Sequence, residues 1–202
     1  IYSIKKFNFD YFSLDGSSQL IAKTGYSRIG GFEIYLSRPE LGSSLWETIL
    51  EAGRSENIRP GSPNIIDRVE AGLLSFGNEM TVENTPLECN MDKFLDINKE
   101  ADYIGKKVLQ RQIRYGIKRR IRGVIYKGPK LPTISRPLQV FDIDKRTIVG
   151  SLTSGAFSPH FKRNIGVGMI KYGYWDNNKK ILVNIADQEF REGLIKDLPL
   201  VQ

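Results

Sequence analysis

The stretch from Arg136 to Ile170 constrains this chain more than any other. Val140, Phe141 and Ile143 form a short β-rich run that ends at Asp144-Lys145, and Thr147, Ile148 and Val149 lead into Gly150, Ser151 and Leu152. From Thr153 to Pro159 the sequence is dominated by Gly, Ser and Pro. Hydroxyls can satisfy local backbone groups there, Gly155 can take a φ that other residues avoid, and Pro159 fixes its own. Asn164 to Ile170 then places small residues between apolar ones, the pattern of a strand that another backbone crosses closely. The prediction is strand, turn, strand, tight corner, strand.

The same periodicity extends on both sides. Downstream of Lys118 the sequence predicts an all-β region with strands over 121–127, 138–143, 147–152, 167–170, 181–185 and 189–195, a spacing that suggests a small barrel. Residues 1–37 read as a β meander with a turn at Asp15-Gly16, and in its last run Phe32, Ile34 and Leu36 fall on one face with Glu33 and Tyr35 on the other. Pro39 to Gly53 is an amphipathic helix with Leu41, Leu45, Trp46, Ile49 and Leu50 on its apolar stripe, and Trp46 is expected in the core. Ser62 suits an N-cap with Pro63 at the first position of a helix over 64–75. Residues 76–95 form a long loop whose Glu79, Glu83 and Glu88 can be surface acids. A basic helix from Asp102 to Tyr115 closes at Gly116, with Ile104, Val108 and Ile113 as its buried positions. The fold class is α+β.

Forty per cent hydrophobic residues, a tenth of the chain aromatic, argue against disorder in 202 residues. No apolar run approaches the length of a membrane-spanning helix, and the N-terminus is not built like a signal peptide, so a cytoplasmic protein is expected. Ile1 is not a start methionine, which suggests a piece of a longer protein. The net charge of +7 is local: between Tyr103 and Phe141 there are eleven cations and no acid, so the remainder is acidic. Such a patch attracts polyanions. A solvated helix face explains it more simply, and aromatic stacking residues are sparse there. Nucleic acid and membrane are not expected partners.

Little catalytic chemistry is legible. Cys89 is the sole cysteine and His160 the sole histidine, which excludes a disulfide within the chain and a His/Cys metal cluster. No G-x-S-x-G elbow precedes His160, which decorates the Ser158-Pro159 corner, and there is no dinucleotide or P-loop fingerprint. Arg68 flanks the apolar stripe of Ile65, Val69 and Leu73, where a long side chain can cross a neighbouring pocket or pair with Asp67 or another neighbour at the surface.

The run Gly150-Ser151-Leu152-Thr153-Ser154-Gly155-Ala156-Phe157-Ser158-Pro159, followed by Lys162-Arg163-Asn164-Ile165-Gly166, resembles the C-terminal barrel signature of the aminomethyltransferase family, which includes the glycine cleavage T-protein. Thr24-Gly25-Tyr26 through Ile34, and Arg68-Val69-Glu70-Ala71-Gly72-Leu73 with Gly77-Asn78 and Thr85-Pro86-Leu87-Glu88, follow the family's order. The resemblance implies the latter part of a folate-binding T-protein-type domain over 1–96, a linking helix over 97–117 and the C-terminal antiparallel β-barrel over 118–202. It implies tetrahydrofolate as cofactor, folate contacts at Tyr26 and Arg68, and a small-molecule one-carbon donor.

The family's catalytic Asp lies upstream of anything present here, so no catalytic residue is assigned and the fragment is expected to be inactive by itself, with the missing N-terminal part of the same protein as a partner. One departure stands out: Ile29 occupies the place of a folate-contacting Glu. The helix from Leu41 to Trp46, the Pro63-Asn64 to Arg68 segment and that lost acid resemble the dimethylsulfoniopropionate demethylase branch. The competing reading is a non-catalytic folate-fold module that binds RNA or a protein partner through Lys106 to Arg122.

Overall fold

The computed structural model describes residues 1–14, 16–25, 30–61 and 64–201. Two compact units, Ile1–Pro63 and Asn64–Gln202, are taken in turn.

The first unit contains an antiparallel sheet in the order β1 (Phe9–Leu14), β2 (Ser17–Ala22), β3 (Glu33–Tyr35). Tyr11, Leu20 and Tyr35 lie side by side across it, as do Asp10, Ile21 and Ile34. The meander expected from the sequence is present, and from Phe32 to Leu36 burial alternates as predicted. A 3₁₀ turn at Pro39–Leu41 leads into α1 (Gly42–Ala52), which ends at Gly53. Leu41, Leu45 and Ile49 recur every four residues on the buried side. Trp46 is a correction: it is 50% exposed, because one residue beyond Leu45 is a rotation of about 100° off that stripe.

The second unit opens with α2 (Ile65–Glu70). Its N-cap is Asn64, whose Oδ1 accepts from the Asp67 amide at 3.0 Å. The expected cap Ser62 and Pro63 lie outside the described residues. The helix stops well short of Ser75 because Gly72 takes φ +66°. The Gly72 amide then donates to Val69 O and the Leu73 amide to Arg68 O, a Schellman closure that a Cβ would strain. Residues 76–95 form a loop, as predicted, ending in a 3₁₀ turn at Asp92–Phe94.

In α3 (Lys106–Tyr115) the buried residue is Leu109. Ile104 precedes the helix and is fully exposed, and Val108 and Ile113 are about half exposed, contrary to expectation. The helix starts at Gly105, φ +88°, later than Asp102, and turns the Leu109 face inward; Gln112, three residues on, accepts from Thr85 Oγ1 at 2.8 Å.

The barrel is present as predicted. Strands β4 (Arg119–Tyr126), β5 (Leu138–Phe141), β6 (Ile148–Ser158), β7 (Arg163–Lys171), β8 (Lys180–Ala186) and β9 (Glu189–Lys196) close in the order β4-β7-β6-β5-β8-β9 with every pairing antiparallel. Inward residues Val124, Tyr126, Val140, Val149, Leu152, Ile170, Ile181, Val183 and Ile195 fill it.

The corner expected over 153–159 is replaced by a continuous strand. β6 runs through Ser158, and the irregularity is a bulge between Leu152 and Ser154. The turn comes after it, at 159–162. Gly155 is needed for close approach and not for its φ: a Cβ there would lie 2.4 Å from Ile165 O. The small residues of β7 do what their pattern predicted, since a Cβ on Gly168 would fall 1.9 Å from Ser151 O.

Candidate functional site

The second unit brings the two most distinctive sequence segments into contact. α2 lays Val69, fully buried, against Ile121, Ile165 and Val167 of β4 and β7 together with Cys89. That apolar seating sets the direction of the side chains on either side of it.

Arg68 is buried at 8% exposure and curls beneath its own helix end. Its Nη1 donates to Leu73 O at 2.8 Å and to Glu79 Oε2 at 2.8 Å. Its Nη2 donates to Ser154 Oγ at 2.6 Å and, at 3.4 Å, to Glu79 Oε1. Glu79 Oε2 also accepts from the Ser75 amide at 2.6 Å. Glu79 and Ser154 are 4% and 2% exposed, so the charge pair is shielded from water on both sides. Two residues along, Glu70 accepts from Ser158 Oγ, and its carbonyl accepts from the amides of Leu200 and Val201. Ser158 Oγ in turn accepts from the Phe161 amide at 3.0 Å.

These contacts decide several sequence expectations. Arg68 does not pair with Asp67 at the surface; it is the buried centre of a network neutralised by Glu79. Glu79 and Glu88 are buried and not surface acids. Glu88 accepts from Arg119 Nε at 3.0 Å and from the Thr85 amide at 3.0 Å, while its carbonyl pairs with the Ile121 amide, which ties the loop to the start of β4. Tyr26 and Ile29 lie outside the described residues. His160 is exposed at the turn after β6, with its ring edge-on to Phe161 at 4.8 Å.

The partners of Arg68 were not identified from sequence. Glu79 is one acid among several in its loop, and Ser154 is eighty-six residues away. Ser154 is one of four hydroxyl residues in β6, with Ser151, Thr153 and Ser158, so composition alone did not single it out. Among the described residues no group of His, Cys, Asp and Glu is arranged to hold a metal ion.

Three cations of the basic segment have protein partners. Lys106 Nζ donates to the carbonyls of Lys99, Glu100 and Ala101. Arg119 pairs with Glu88, and Arg122 donates to Trp175 O and Asn90 Oδ1. No helix among the described residues is long and apolar enough to cross a membrane.

Residues 2–99 match the family model for the GCVT N-terminal domain and residues 119–200 that for the glycine cleavage T-protein C-terminal barrel domain. The chain is 39% identical over 175 residues to dimethylsulfoniopropionate demethylase DmdA of Ruegeria pomeroyi, covering 87% of this chain and 47% of that protein. It is 34% identical over 196 residues to the aminomethyltransferase of a Geobacillus species, covering 96% and 52%, and 37% identical over 195 residues to that of Caldanaerobacter subterraneus, covering 95% and 50%. The chain thus spans about half the length of these relatives. The crystal structure of glycine cleavage system aminomethyltransferase T from Bartonella henselae has the same fold, with TM-score 0.76 over 91% of this chain and 50% of that one at 22% identity. These comparisons do not favour the non-catalytic module.

Proposed function

The chain belongs to the aminomethyltransferase family of the glycine cleavage T-protein, and from that premise we propose that the protein carrying it transfers a methyl group from a sulfonium donor to tetrahydrofolate. Residues 1–96 would supply part of the folate-binding domain, 97–117 the link and 118–202 the barrel. The observation that carries the donor choice is the 39% identity to a dimethylsulfoniopropionate demethylase across 87% of the chain. Ile29, standing where the family resemblance expects an acid, supports the same branch.

In this reading Tyr26 contacts the folate, and Arg68 acts through position. Its guanidinium is committed to Glu79, Leu73 O and Ser154 Oγ, so it fixes the end of α2 against β6. The methyl leaves the sulfonium as its carbon–sulfur electron pair returns to sulfur, giving a neutral thioether. The folate nitrogen forms the new carbon–nitrogen bond and loses a proton. Holding the two reactants in register supplies much of the acceleration for such a displacement.

The test is to incubate the full-length protein that carries this chain with tetrahydrofolate and dimethylsulfoniopropionate and follow methyltetrahydrofolate by mass spectrometry. Stoichiometric methylated folate is expected. Saturable tetrahydrofolate binding without methyl transfer would remove the sulfonium donor and leave the aminomethyl one; no saturable binding would remove the folate reading itself.

A further inference from the structure

A groove of about 510 Å³ crosses the barrel wall where β4, β8 and β9 run together, closed on one side by the turn after β5. Ile125, Leu182 and Leu194 line it; they alternate along their strands with the inward-facing Tyr126, Ile181 and Ile195, so they present an apolar floor from the outer face. Ile143 adds a fourth apolar side chain from the turn and is 66% exposed, a large apolar group with nothing over it.

Around this floor stand Lys127, Lys145, Arg163 and Lys180, against a single lining acid, Glu192. Glu192 is paired with Lys127 at 2.7 Å. Among the described residues no salt bridge involves Lys145, Arg163 or Lys180, though Lys180 acts on Glu192 through space and the Lys145 ammonium lies 5.7 Å from the centre of the Phe190 ring. Asp144, next to Lys145, is turned to the amides of Arg146 and Thr147 and to the Thr147 hydroxyl. Three cations around an apolar trough complement one kind of occupant, in which an apolar body and a negative charge occur in one molecule. The volume lies within the range of small-ligand sites, about 300–1,000 Å³.

We propose that this groove binds a small organic anion with an apolar body, an aryl or alkyl carboxylate or sulfonate, at a site separate from the Arg68 network. The apolar part lies on Ile125, Ile143, Leu182 and Leu194, and the anionic group faces Lys145, Lys180 and Arg163. The assignment does not depend on the folate reading.

The probe is 1-anilinonaphthalene-8-sulfonate, with uncharged N-phenyl-1-naphthylamine as its control, titrated into the folded protein by fluorescence. Saturable 1:1 binding of the sulfonate is expected, at least tenfold tighter than the neutral compound and weakened several-fold as salt rises. The double variant Lys145→Glu, Lys180→Glu should lose at least tenfold, whereas Lys145→Arg, Lys180→Arg should bind as the parent does. Ile143→Ser, at an exposed position that folding does not need, should lose several-fold. Hydrogen exchange should slow on probe binding at 125–127, 180–182 and 192–194. Equal affinity for the neutral compound, unchanged binding in the charge-reversed variant, protection elsewhere, or no saturable binding would each overturn the proposal.

Discussion

Arg68 Nη2 donates to Ser154 Oγ at 2.6 Å, joining the last turn of α2 to the strand just past the β6 bulge. The bulge is what aims the hydroxyl: an extra residue at Thr153 shifts the register, so that Ser154 pairs with Val167 where Leu152 pairs with Gly168. With Glu79 on the other side, the guanidinium has protein acceptors in place of water. Helix and barrel are therefore held by a charge network over an apolar seam.

Removing the guanidinium strands a buried carboxylate. Arg68→Ala should destabilise the second unit by about 3–5 kcal/mol, the cost of breaking a buried pair from one side. Ser154→Ala, which removes one acceptor and leaves the pair intact, should cost about 1–3 kcal/mol. Urea denaturation followed by Trp175 fluorescence measures both. An Arg68→Ala loss below that of Ser154→Ala would mean that Glu79 does not depend on the guanidinium.

The β6–β7 pair tolerates no Cβ at Gly168, where the clash is with backbone oxygen and no side-chain rotamer can relieve it. Gly168→Ala should cost at least ~3 kcal/mol, beyond ordinary overpacking. Gly61→Ala, which meets nothing within 4 Å, should change stability by less than about 0.5 kcal/mol. Equal melting temperatures for the two variants would refute the close approach.

Burial pushes the Tyr126 phenol up to about 12, from an ordinary value of 10.0. The folded phenol therefore holds its proton more tightly than the unfolded one. Below pH 10 both are neutral and the full stability remains; between 10 and about 12 the unfolded phenol ionises first, and stability falls as pH rises. Tyr174 is also raised, by burial and Asp142, so ultraviolet titration at 295 nm should show a late phase from which Tyr126→Phe removes the highest-pH part, along with its share of the alkaline stability loss. A Tyr126→Phe titration identical to the parent's would show that this phenol is not the late one.

Cys89 is a free, buried thiol, and its burial, reinforced by Glu88 and opposed by Arg119, raises its pKa. Little of it is thiolate at pH 8, and little of it is accessible. A thiol reagent should label it slowly in the native protein and at once in guanidinium. Immediate stoichiometric labelling of native protein would contradict the packing of the loop over 85–90.

The sequence by itself determined most of the elements and their kind, though not the course of β6 over 153–158 or the end of α2. Period-two alternation read out six barrel strands and the meander, because one face of each must be apolar whatever it packs against. Small residues in β7 announced a close crossing, since backbone approach excludes side chains locally and leaves that trace in composition. The motif segments at 68–73 and 150–159 also marked the family. Tertiary structure decided what those motifs touch. Whether Trp46 was core, whether Val108 or Leu109 faced inward, and whether Arg68 met water or Glu79 each depended on a helix start or a rotation of about 100° per residue. Local patterns do not fix such angles. The partner of Arg68 is eighty-six residues away along the chain, and only the closed barrel, with its bulge at Thr153, brings Ser154 to it.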